Sequence, residues 1–185
     1  MNENILSLRK YDISKYAEII LIILVTLGLF LVPLFIPRLL ETIFGAKSVI
    51  SMNSQYIVGT IVNTCLIVTA INIKGWKKII GIVTAPSLAA MAGGMIFPLP
   101  ATIFTFYMIP AMWIGNFAII YLYKYLFIKK NINYAISAGA GVLLKAAIIF
   151  GGFSLMTLVA SIPEKIANIL SVTMGVNQLI TATIR

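Results

Sequence analysis

Apolar residues along this chain come in long unbroken stretches, and the charged residues collect between them. Six stretches stand out, at 16–36, 56–73, 79–97, 101–128, 134–160 and 163–184. A helix needs roughly 17–25 residues to cross the hydrocarbon core, and each stretch is long enough. Membrane strands would instead appear as short alternating segments, a pattern absent here. The predicted fold is therefore an all-α integral membrane bundle of six transmembrane helices, in a single domain covering 1–185.

Prolines refine this pattern. Pro98 and Pro100 mark a tight turn after the third stretch. Pro110 predicts a kink within the fourth, and Pro163 suits a first helical turn. The third stretch is the most broken, with Pro86 and a small-residue segment at 89–94. The connection 38–55 is long for a helical bundle and carries Leu39, Leu40, Ile43, Phe44 and Val49. Such a segment is expected to lie on the membrane surface, or to fold over the bundle as a lid.

Charge then sets the orientation. Arg9, Lys10, Lys15, Lys74, Lys77, Lys78, Lys124, Lys129, Lys130 and Arg185 fall on one side of a six-span arrangement. The other side receives Arg38, Lys47 and Lys165. Cytoplasmic loops carry the excess of Lys and Arg, so both termini are expected in the cytoplasm of a multi-pass cell-membrane protein.

Composition narrows the chemistry. The chain of 185 residues is 61% hydrophobic and 10% charged, with a net charge of +9. Soluble domains carry roughly 25% charged residues. The basic residues lie between apolar stretches, so topology explains them better than nucleic-acid binding does. There is no histidine, and Cys65 is the only cysteine. Histidine catalysis, histidine metal sites, cysteine clusters and intrachain disulfides are thereby removed. No G-x-x-x-x-G-K-[ST] loop is present to hold ATP. The chain reads as a non-enzyme without metal or cofactor.

Several polar residues lie deep within the stretches. Lys145, Asn116, and the pair Asn177 and Gln178 are each about 14 or 15 residues from the same end of their helices, or ~21–22 Å. An ionisable group at that depth is expected to face protein and to have a partner. Asn116, Asn177 and Gln178 can accept from the Lys145 ammonium through their amide oxygens. The layer reads either as a clamp between helices or as the floor of a pocket. Asn168 shares the polar stripe of the last stretch. Ser137, Gly141, Lys145 and Gly152 share a face of the fifth, read as a cavity wall. Trp113 and Tyr107 are candidates for flat walls around a ring-containing ligand. The candidate substrate-binding set is thus Asn116, Lys145, Gln178, Asn177, Trp113, Tyr107 and Asn168.

Six spans in under 200 residues, a long first external connection and polar faces on the last three helices resemble the substrate-binding (S) subunits of energy-coupling factor (ECF) transporters. The run from Phe97 to Asn116, through Pro98, Pro100, Pro110 and Trp113, looks like the third-to-fourth-span region of S-like subunits of unassigned substrate. The resemblance implies capture of a vitamin-like solute or other micronutrient from outside. It also implies partners: a transmembrane coupling subunit against spans one to three, and two ATPase subunits. Two departures matter. The family's small-xxx-small pair on span one is missing, with Ala17 and Gly28 isolated. The lack of histidine argues against nickel or cobalt as the solute. A stand-alone secondary transporter or channel, or a structural membrane protein without ligand, are the alternatives.

Overall fold

The computed structural model describes residues 15–92 and 101–159. Helix α1 is Lys15–Phe44, α2 is Val49–Met52, α3 is Ser54–Asn72, α4 is Ile80–Ala92, α5 is Ala101–Tyr123 and α6 is Tyr134–Val159. A 3₁₀ turn, Trp76–Ile79, leads into α4, and α5 continues as a π-helical segment, Lys124–Lys129. Among the described residues four helices are long and apolar enough to cross a membrane: Tyr16–Phe44, Ser54–Asn72, Phe106–Lys129 and Tyr134–Leu158. The protein is thus a helical chain of membrane character. The predicted sixth stretch, 163–184, and the turn at Pro98 and Pro100 lie outside the described residues.

One expectation changes. The first helix does not end near residue 36 but runs 30 residues through Pro33 and Pro37 to Phe44. Leu39, Leu40 and their neighbours are good helix formers. The Thr42 hydroxyl bonds back to the Arg38 carbonyl at 2.9 Å, so the turn beyond the prolines is helical. The connection is therefore mostly helix rather than loop. Its remainder folds back on α1, where the Ser51 hydroxyl donates to the Leu40 carbonyl at 3.0 Å. Ser48 caps α2 by accepting the Ser51 N–H.

The third stretch is described as the α-helix Ile80–Ala92, and its predicted end at 97 lies outside the described residues. Gly75 has a positive φ of 95° and turns the chain out of α3 and into the 3₁₀ turn.

A core of Leu29, Leu66, Ile82, Ile119, Ile120 and Val142 joins α1, α3, α4, α5 and α6. Helix α6 packs chiefly on α5, while α1 lies against α3 and α4. Much of the lipid-length part of α1 is left uncovered, including Ile20, Leu24, Leu27, Leu31 and Phe35.

The basic residues meet at one end, as their sequence positions predict. The Glu18 carboxylate, at the start of α1, accepts the Lys74 N–H at 2.8 Å and the Lys78 ammonium at 2.6 Å. Lys124, at the end of α5, donates to the Ile73 carbonyl at 2.7 Å. The start of α1, the α3–α4 connection and the end of α5 therefore share one end of the bundle.

Candidate functional site

Lys145 is buried, and small residues put it there. Its carbon stem crosses the α5–α6 seam beside Gly115, where an added Cβ would lie 3.2 Å from Lys145 Cγ. One turn and more further along, a Cβ on Gly152 would collide with the Ala111 methyl. Close helix approach in lipid depends on such absent side chains. The face bearing Ser137, Gly141 and Lys145 is accordingly buried against α5, and Gly152 meets Ala111 there. This corrects the reading of that face as a cavity wall. Backbone proximity, which small residues permit, has taken the place of an open space.

The ammonium emerges from the seam toward α3, not toward Asn116. Lys145 Nζ donates to Asn63 Oδ1 at 2.7 Å. Lys145 is 7% exposed and Asn63 is 3% exposed, so the bond is shielded from solvent. The partner is a neutral amide, and no carboxylate pairs with Lys145 among the described residues. An ammonium has three donors, and Asn63 engages one.

Asn116 is also buried, but it faces α4. Its Nδ2 donates to the Val83 carbonyl at 2.9 Å. The bond ties α5 to α4 three residues before Pro86, whose missing N–H would have served the Ile82 carbonyl instead. Trp113 adds a second stitch, with Nε1 donating to Ser87 Oγ at 2.7 Å. Ser87 in turn donates to the Thr84 carbonyl at 2.8 Å.

The predicted polar layer is thus divided. Lys145 and Asn116 are buried at similar depth but bond to different helices. Tyr107 is 65% exposed on the outside of α5. Trp113 is 36% exposed and forms one wall of an open apolar groove of ≈ 270 Å³ with Val83, Thr84, Ile114 and Phe117. Asn168, Asn177 and Gln178 lie outside the described residues.

The sequence reading missed Asn63 and Ser87. Asn63 carried a usable signal, because it lies nine residues before the end of α3 at Asn72 and Lys145 eleven after the start of α6 at Tyr134. Those offsets put both at nearly one depth from the basic end, ~14 and ~16 Å. Ser87 carried none beyond membership of a small-residue segment. Comparison with known families, with characterised proteins and with solved structures finds no match to this chain.

Proposed function

We propose that this chain is the membrane-embedded, substrate-binding component of an ECF-type importer, and that it captures a small anionic solute from outside. On this reading the bundle has six spans with both termini cytoplasmic. A separate coupling subunit and two ATPase subunits supply the energy. One observation carries the proposal: the Lys145 ammonium is buried, meets a neutral amide and has no carboxylate beside it among the described residues. A buried cation without a counter-ion is costly, and a carboxylate or phosphate on a solute would supply that counter-ion. The uncovered flank of α1 supports a partner subunit on that side.

The test is gentle purification followed by mass spectrometry of bound solutes and associated proteins. The expected result is a retained anionic small molecule together with a coupling subunit. Lys145→Met should release the small molecule and leave the partner bound. An empty, partnerless protein would overturn the proposal.

The second reading is a structural membrane protein. It is favoured by the absence, among the described residues, of any buried side-chain polar atom lacking a partner. On that reading Lys145→Met changes stability alone.

A further inference from the structure

An aromatic stripe runs down α5 at helical spacing: Trp113, Phe117, Tyr121 and Tyr125. Residues four apart share a helix face. Phe117 and Tyr121 stack with centroids 6.4 Å apart, and so do Tyr121 and Tyr125. Trp76, from the 3₁₀ turn, lies against this stripe, 5.1 Å from Phe117 and 5.7 Å from Tyr121. These rings are not core, since Trp76, Phe117 and Tyr121 are all exposed. Exposed aromatic rings in a membrane protein mark the headgroup level.

Two further features meet at this ring cluster. Above it is the apolar groove between α4 and α5, lined by Ile80, Val83, Thr84, Trp113, Ile114 and Phe117. Phe117 belongs to both the groove and the cluster. Around the cluster are ammonium groups. Lys124 Nζ lies 5.5 Å from the Trp76 ring centroid. Lys129 and Lys130 lie 5.6 and 5.7 Å from the Tyr125 ring. Lys77 lies in the 3₁₀ turn that leads into Ile80, which lines the groove. Lys77 is exposed and has no hydrogen bond or ion pair among the described residues. Among the described residues the acidic group at this end is Glu18, which is already occupied by Lys78 and the Lys74 N–H.

An apolar slot ending in aromatic rings and then in lysines that outnumber the described carboxylate there has the layout of one amphiphile: acyl chain, glycerol region, anionic headgroup. We infer that the α4–α5 groove is a binding site for an anionic phospholipid, with an acyl chain along Val83 and Ile114 and its phosphate among Lys77, Lys124 and the edge of Trp76. Charge complementarity decides the class of lipid. A zwitterionic headgroup would bring its own cation into this ring of lysines, whereas an anionic one brings only the phosphate. The site stands apart from Lys145, which bonds Asn63 on α3 and does not line the groove.

The experiment uses the full chain in mild detergent, with phosphatidylglycerol and phosphatidylcholine of identical acyl chains as probes. Native mass spectrometry reads lipid retention, and thermal unfolding reads stabilisation. The wild-type chain should retain phosphatidylglycerol preferentially. Each lysine replaced in Lys77→Gln and Lys77→Gln/Lys124→Gln should reduce that preference about fivefold. Thr84→Trp, which fills the groove, should weaken retention of both lipids. Lys47→Gln, at the other end of the bundle, should change nothing. Equal retention of the two lipids by the wild-type chain would overturn the inference. So would a preference that survives the double variant, or one that Lys47→Gln lowers as much as Lys77→Gln. Displacement of the lipid by soluble glycerol phosphate at equal concentration would overturn the role of the groove.

Discussion

Lys145 Nζ and Asn63 Oδ1, 82 positions apart in sequence, are 2.7 Å apart in the fold and tie α6 to α3. The bond is asymmetric in its consequences. Asn63→Leu strands an ammonium in a buried site, whereas Lys145→Met removes the charge and leaves a small amide. Removing the neutral partner of a hydrogen bond to a buried charge costs about 1.5–3 kcal/mol. The expected order of stability, read by denaturant or thermal unfolding in detergent, is therefore Lys145→Met above Asn63→Leu. The double variant should recover most of the Asn63→Leu loss. An Asn63→Leu chain as stable as wild type would show that the pair contributes nothing.

Gly152 tests the α5–α6 seam. Gly152→Ala forces its new methyl against Ala111, and overpacking of this kind costs about 1–3 kcal/mol. Gly139→Ala is the control, since nothing lies within 4 Å of an added Cβ there. Unfolding midpoints should fall for the first and hold for the second.

Asn116 tests the contact between α4 and α5. Asn116→Leu removes the donor to the Val83 carbonyl, and a buried group left without its partner costs about 1–3 kcal/mol. Tyr107→Leu, on the exposed outside of α5, is the control. The unfolding midpoint should fall for the first and hold for the second. An unchanged Asn116→Leu midpoint would show that the bond to Val83 contributes nothing.

Glu18 and Lys78 test how α1 is held to the α3–α4 connection. Glu18→Lys should place two ammonium groups together and lower the unfolding midpoint, and adding Lys78→Glu should restore it. The pair is half-exposed on the lysine side, so high salt should shrink both effects. A double variant no better than Glu18→Lys would mean that the carboxylate matters only for the Lys74 N–H.

Orientation is tested by cysteine labelling in cells, starting from a Cys65→Ser chain. Lys130→Cys should react with an impermeant maleimide only after the membrane is opened, and Lys47→Cys should react in intact cells. The reverse pattern would invert the proposed topology.

Hydropathy alone determined that this is a helical membrane protein, and it located α3, α5 and α6 to within a few residues. It did so because lipid requires every backbone polar group to be satisfied within the helix, which leaves long apolar runs few other forms. The gathering of basic residues at one end was also legible, from the spacing of Lys74, Lys78 and Lys124 around the apolar runs. The length of α1 was not, because the first stretch was ended where its apolar run meets Arg38, while the helix continues to Phe44. Nor was the destination of each polar side chain. Depth along a helix is counted in sequence, and it put Lys145 and Asn116 in one layer. Direction around a helix depends on which neighbours pack there. The glycine seam between α5 and α6 lets Lys145 reach Asn63 on α3, while Asn116 faces α4 and bonds the Val83 carbonyl. Only the packing of the helices could decide between those partners.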